Sequence, residues 1–218
     1  MRKTLYIVVP CYNEQEVLPE TAKRLLEKLQ SLVLKNKIAD NSRIMFVNDG
    51  SKDQTWSMIK GLCEENSVFA GVNLSRNRGH QNALLAGMAT AVKYADMIVT
   101  MDADLQDPPR LLPEMLRIIR EEQYDSVATR RVTRKGEPPI RSFCARQFYH
   151  IMNKISDVEL MDGARDYRFM TRKYVNAVLS LKEFNRFSKG IFGWVGFRTK
   201  WLEFENQERS AGETKWSF

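Results

Sequence analysis

Short β-rich apolar runs alternate with segments of helical apolar spacing across the first 130 residues, and this alternation limits the fold more than any other feature. Leu5 to Val9 is one such run, closed by Pro10. Leu18, Ala22, Leu25, Leu29 and Leu32 then mark one face of an amphipathic helix over Glu16 to Lys35. The pattern repeats: strand at Arg43 to Val47, helix from Asp53 to Glu65, strand at Val68 to Leu74, helix from His80 to Ala95. A fourth strand at Asp96 to Met101 leads to a helix ending near Gln123, and Ser126 to Arg130 reads as a fifth strand. Asp107 is the expected N-cap of that last helix, with Pro108 and Pro109 in its first turn. Strands separated by such helices predict an α/β fold with a mostly parallel, doubly wound sheet. Ligands bind such sheets outside the carboxyl ends of the strands. Here those ends carry Asn13-Glu14, Asn48-Asp49-Gly50-Ser51, Ser75-Arg76-Asn77-Arg78 and Asp102-Ala103-Asp104.

The pattern changes after Arg131. Residues 131–140 contain Gly136, Pro138 and Pro139 and form a loop, followed by a helix over Arg141 to Ile155. Cys144, Phe148, Ile151, Met152 and Ile155 share one face of it, and Arg141, Arg146 and Lys154 another. Such a stripe either packs into a core or lies on a membrane surface. Shorter elements follow: a strand at Tyr167 to Met170, helices at Arg172 to Leu179 and Arg186 to Phe192, and a strand at Arg198 to Phe204.

At 218 residues the chain has the length of one domain, and no apolar stretch is long enough to span a bilayer. Three scattered cysteines lack metal-ligand spacing and read as reduced thiols, and two histidines are too few for a histidine-based metal site. The formal net charge of +7 favours anionic partners. It concentrates in Arg130, Arg131, Arg134, Lys135, Arg141 and Arg146, opposed there by Glu137 alone. A nucleic acid is disfavoured, because acidic residues line the strand-end edge where it would have to sit.

The Rossmann glycine fingerprint and the P-loop are both absent, so phosphates fall to a metal or to arginines. Asp102 and Asp104 flank one alanine at a strand end, and in extended backbone residues two apart face the same way. Both carboxylates then reach one hard cation such as Mg²⁺ or Mn²⁺. The plainer reading is a helix-capping turn with extra acids, but Asp107 suffices for that. Asp49 is either an Asx turn followed by a left-handed glycine or a carboxylate accepting hydrogen bonds from a base or ribose.

"VPCYNE" at 9–14, "VNDGSKDQT" at 47–55, "NLSRNRGHQNALLAGM" at 73–88 and "MDADLQDPP" at 101–109 resemble the family 2 glycosyltransferases. Within that family the chain is most similar to the polyprenyl-phosphate group, which includes dolichol-phosphate mannose synthases and bactoprenol glucosyltransferases. "GARDYRFMTR" at 163–172, "RFSKGIFGWVGF" at 186–197 and "ERSAGETKW" at 208–216 extend the resemblance over nearly the whole chain.

The resemblance implies a single GT-A domain over 1–218, with a nucleotide-sugar and metal half at 1–130 and an acceptor, membrane-facing half at 131–218. It implies that Pro10, Tyr12, Asn13 and Glu14 line the nucleotide pocket and that Asp49 contacts the base. Asp102 and Asp104 match the family's metal-binding pair, with Gln106 as an additional ligand, and Asp102 also belongs to the nucleotide-sugar site. Arg186 and Lys189 stand where cations face the diphosphate, joined by Arg209 and Lys215 from the C-terminal loop. Asp166 matches the carboxylate often assigned as base, so Asp104, Asp166 and Arg186 form the implied catalytic set. A polyprenyl phosphate is already ionised at neutral pH, which makes Asp166 a positioning group by our reading. Arg130, Arg131 and Arg134 are the candidates for acceptor-phosphate contacts at a membrane surface.

The implied reaction is inverting sugar transfer from UDP-glucose or UDP-N-acetylglucosamine to a polyprenyl phosphate at the cytoplasmic membrane face. A glycan or other polar acceptor is the alternative, and a binder without turnover is a third reading. Self-association into a homo-oligomer is compatible with all three. Relatives in this group commonly continue past the "GETKW" motif into membrane helices, which are expected to be absent from this chain.

Overall fold

A computed structural model describes residues 2–132, 147, 151–155, 160–183 and 187–205. Its centre is a sheet of seven strands: β1 (Leu5–Cys11), β2 (Arg43–Asn48), β3 (Phe69–Asn73), β4 (Met97–Thr100), β5 (Ser126–Arg131), β6 (Ala164–Thr171) and β7 (Thr199–Phe204). Their order across the sheet is β3-β2-β1-β4-β6-β5-β7. The pairs β1–β2, β2–β3, β1–β4 and β5–β7 are parallel, while β6 runs antiparallel to both β4 and β5. The expected mostly parallel α/β sheet is present, with β6 as its one reversed member among the described strands. The short strand read at Tyr167 to Met170 begins earlier, at Ala164, because its first residues pair with the end of β5.

The helices are α1 (Leu18–Leu34), α2 (Thr55–Glu65), α3 (His80–Ala91), α4 (Leu112–Glu121), α5 (Arg172–Ser180) and α6 (Ser188–Trp194). Alternation along the strands sorts side chains to two cores. Leu5, Ile7 and Val9 of β1 join the layer under α1, α2 and α4, whereas Val8 joins Leu84, Met88, Val175 and Phe192 under α3, α5 and α6. Helix α3 lies so close to the sheet that a Cβ on Gly87 would come within 2.3 Å of Val8 Cγ1 and 2.8 Å of Val47 Cγ2.

Two expectations need correction. Asp107 caps no helix: a 3₁₀ turn at Pro109–Leu111 precedes α4, and neither has a side-chain cap, although proline does occupy the first turns. Asp107 is instead fully buried. In the basic helix, residues 151–155 are helical, but Ile151 and Ile155 are 54% and 73% exposed, so core packing fails at both. Cys144, Phe148, Arg141 and Arg146 lie outside the described residues. Among the described residues no helix is long and apolar enough to cross a membrane.

Candidate functional site

The carboxyl ends of β1, β2 and β3 are knitted into one shelf. Asn13, at φ 52°, donates its backbone N–H to Ser51 Oγ (2.9 Å) and accepts from Lys52 N through Oδ1 (2.8 Å). Glu14 N donates to Thr55 Oγ1 (2.8 Å), and the Glu14 carbonyl accepts from Val17 and Leu18 to open α1. Asp49 is buried and takes backbone hydrogen bonds on both oxygens, from Arg78 N (2.7 Å) and Gly79 N (2.9 Å). It thereby fixes the loop that feeds α3, while the local Asx-type contact is made by Asn48, whose Oδ1 accepts from Ser51 N (3.2 Å). Gly50, at φ 64°, lets that loop approach: a Cβ there would stand 2.4 Å from Arg76 C. Pro10 is buried within β1, and Tyr12 is half-buried just beyond it.

A second cluster forms where β4 ends and β6 begins. Strand β4 stops at Thr100 and a turn takes in Ala103 and Asp104, so Asp102 and Asp104 do not share one extended strand as the spacing argument required. Leu105, at φ 58° and buried, holds that turn in a left-handed conformation costly for a branched side chain. The turn is secured from three sides. Thr21 Oγ1 donates to the Ala103 carbonyl (2.6 Å), Gln106 N donates to Asp104 Oδ1 (3.1 Å), and Asp102 N donates to Asp107 Oδ2 (3.2 Å). Arg165, on β6, bridges Asp107 Oδ1 through Nε (3.1 Å) and Asp102 Oδ2 through Nη2 (3.3 Å). His80, first residue of α3, places Nε2 3.3 Å from Asp166 Oδ2 and 3.7 Å from Asp102 Oδ1. Ser188 Oγ of α6 donates to Asp166 Oδ1 (2.8 Å).

The electrostatics follow from burial and mutual charge. Burial raises the Asp102 carboxyl above the usual range, opposed by the His80 and Arg165 charges. Asp107 is pushed up to about 7 by burial, with Arg165 limiting the rise. Burial disfavours the His80 imidazolium, but the hydrogen bond to Asp166 and the charges of Asp102 and Asp166 outweigh it, to about 9. Asp102 Oδ1 is buried without a hydrogen-bond partner. Such an orphaned carboxylate oxygen is rare and suits a hard cation, so Asp102 and its neighbour Asp104 fit Mg²⁺ or Mn²⁺. Among the described residues no three His, Cys, Asp or Glu side chains converge on one metal position.

The sequence and the sheet both match known proteins. The glycosyl transferase family 2 model matches residues 6–179. The chain belongs to family 2. It is 42% identical, over 97% of its length and 61% of the relative's, to the putative glycosyltransferase CsbB of Bacillus subtilis. It is 35% identical to a prophage bactoprenol glucosyl transferase homolog of Escherichia coli, over 97% of this chain and 66% of that one. The mannosyltransferase PcManGT of Pyrobaculum calidifontis, solved with GDP-Man and Mn²⁺, superposes with a TM-score of 0.61 at 19% identity, over 93% of this chain and 55% of that one. The fold is GT-A, and the chain is a family 2 glycosyltransferase that spans less than two thirds of these relatives' lengths.

Of the residues expected at the site, Asp102, Asp104, Asp166 and Gln106 lie at the β4 and β6 ends, and Asn13, Glu14 and Asp49 on the β1–β2 shelf. The Arg130 guanidinium lies on Glu203 of β7, with Nε at 3.0 Å, and on Met161 Sδ at 3.1 Å, so a phosphate there would share it with an existing ion pair. Arg131 closes β5, and Lys189 lies on α6. Arg134, Arg186, Arg209 and Lys215 lie outside the described residues. Sequence reasoning missed His80, Asp107, Arg165 and Ser188 as site residues. Arg165 was findable: it directly precedes Asp166, and three aspartates within six residues need a counter-charge.

Proposed function

We propose that this chain is the catalytic part of a metal-dependent, inverting glycosyltransferase acting at the cytoplasmic membrane face. It transfers glucose or N-acetylglucosamine from a uridine diphosphate sugar to a polyprenyl phosphate. The bactoprenol glucosyl transferase names of its relatives support the acceptor. The observation that carries the chemistry is the orphaned Asp102 Oδ1 in a cluster held by Arg165 and His80.

Asp102 and Asp104, with Gln106, would hold the cation. A divalent cation supplies charge stabilisation to the leaving diphosphate. Arg165 offsets part of the burial cost of the Asp102 charge and ties it to Asp107. The β1–β2 shelf, from Pro10 to Glu14 with Asp49, receives the nucleoside. Asp166 positions groups and does not take the acceptor's proton: His80 and Ser188 engage both of its oxygens, and a phosphate nucleophile is already ionised.

Thermal-shift measurements with UDP- and GDP-sugars, with and without Mn²⁺, test the donor and metal. Stabilisation by a UDP-sugar that requires Mn²⁺ and is lost in Asp102→Ala is the expected result. Transfer to polyprenyl phosphate is compared with transfer to oligosaccharides, and transfer to the latter alone refutes the lipid acceptor.

A further inference from the structure

Arg168 lies two residues beyond Asp166 on β6 and is 3% exposed, and among the described residues its guanidinium hydrogen-bonds to no carboxylate, although the Asp166 charge acts on it. Nη1 donates to Ser126 Oγ (2.9 Å) and Tyr174 Oη (3.3 Å), and Nε is buried without a partner. The guanidinium stacks 4.5 Å from the Phe192 ring centroid, with Trp201 at 5.5 Å and Tyr174 at 5.9 Å. Tyr174 Oη in turn donates to the Phe192 carbonyl (2.6 Å). A buried cation paired with aromatic rings and hydroxyls, and not with an acid, is an expensive way to fill a core.

The geometry explains what it secures. Ser188 and Phe192 are one turn apart on α6, about 6 Å along its axis. Asp166 and Arg168 are two residues apart on β6, about 6.6 Å along the strand. The two spacings match, so α6 docks on β6 at two points: Ser188 on Asp166 Oδ1 and Phe192 on the Arg168 guanidinium.

We propose that Arg168 is a positioning residue for glycosyl transfer. By clamping α6, it holds the Ser188 hydroxyl on Asp166 and so fixes the carboxylate that faces His80. The inference rests on the proposed transfer reaction for its kinetic consequence. Its structural half, the clamp itself, stands apart from that reading. Because hydrophobic replacement of a buried charge is often neutral or stabilising, a residue serving the fold alone would leave catalysis intact when replaced by methionine.

The test uses Arg168→Met, Arg168→Lys and Ser188→Ala in the full chain. It measures transfer from the UDP-sugar to polyprenyl phosphate, urea midpoints, and hydrogen exchange of the α6 amides. In Arg168→Met we expect an unchanged or raised midpoint and faster α6 exchange. Its kcat should fall about 10- to 100-fold, the worth of one hydrogen bond to a charged group, with donor KM within about twofold. Ser188→Ala should show the same kcat loss with α6 exchange unchanged. Arg168→Lys, which keeps the charge but not the planar stack, should restore only part of the rate. An unchanged kcat in Ser188→Ala overturns the proposal, as does an unchanged kcat in Arg168→Met. If Arg168→Met does not fold, Arg168→Lys and Ser188→Ala decide it by the same criteria. If the wild type transfers no sugar to polyprenyl phosphate, the reaction assignment fails, and α6 exchange in Arg168→Met then decides the clamp: faster upholds it, unchanged overturns it.

Discussion

Replacing Arg165 with methionine removes the cation that two acids share. Asp107 Oδ1 is 3.1 Å from Nε and its side chain is fully buried, while Asp102 is partly open to solvent. Breaking a buried pair from one side costs about 3–5 kcal/mol. Here protonation sets a ceiling. Without Arg165, the cheapest response is for Asp107 to take a proton, which the unfolded chain holds only below its ordinary value of 3.8. Each pH unit above that value costs about 1.4 kcal/mol, and because the native carboxyl already stands at about 7 with Arg165 in place, wild type and variant share that cost up to pH 7 and only the variant goes on bearing it above, an extra penalty of about 0.4 kcal/mol at pH 7 and about 1.4 kcal/mol at pH 8. The sign follows from linkage. A carboxyl raised in the native state binds a proton that the unfolded state releases, so stability falls as pH rises from about 4 through the native value. Urea denaturation in EDTA at pH 6, 7 and 8 measures this. Arg165→Met should part from the wild type above about pH 7, losing stability with a slope that the wild type no longer has, and adding Asp107→Asn should abolish most of that extra slope and recover about 1 kcal/mol at pH 8. Additive losses in the double variant, or a single-variant penalty independent of pH, would refute the reasoning.

Gly87→Ala should lower stability by about 1–2 kcal/mol despite a gain of about 1 kcal/mol in helix propensity, because the new methyl group meets Val8 and Val47; a raised urea midpoint would contradict the close approach of α3. In metal-free protein the His80 imidazole should titrate near 9 by NMR. Mg²⁺ should lower that midpoint by competing for Asp102, and an unshifted midpoint near 6.5 would dissolve the His80–Asp166 contact. Thr171→Ala should cost about 1 kcal/mol, because Thr171 Oγ1 accepts from Tyr174 N at the start of α5; a midpoint change below about 0.3 kcal/mol would remove that cap from the account.

The βα alternation of the first 130 residues was legible because each strand and helix there buries its own apolar period. The acid-rich turn was visible as chemistry, but its geometry was not. Alternate spacing predicted extended backbone, whereas Leu105 at φ 58° folds the turn back on itself. Asp107 was misread because a carboxylate before two prolines is a good cap by local rules, and only the long-range partner Arg165 gives it another role. His80 was set aside by counting histidines for a metal, a rule blind to an imidazole between two carboxylates. The commitment of Arg130 to Glu203 depends on β5 and β7 being neighbours, which no pattern within either segment encodes.

The reversed strand β6 has a consequence for how such a chain can vary. The end of β5 and the start of β6 are stitched together: Arg131 N donates to the Gly163 carbonyl (2.9 Å), and Arg130 pairs with Ala164. Gly163, at φ 76°, is the required hinge, because a Cβ there would stand 2.4 Å from the Arg131 carbonyl oxygen. The segment between Arg131 and Gly163 therefore leaves and rejoins the sheet through one closed gate. Loop-closure cost grows only logarithmically with length, about 0.6 kcal/mol per doubling. That segment can be lengthened, shortened or exchanged between relatives while Asp102, Arg165 and Asp166 keep their places. The segment and the acid cluster beside it can thus diversify on separate schedules.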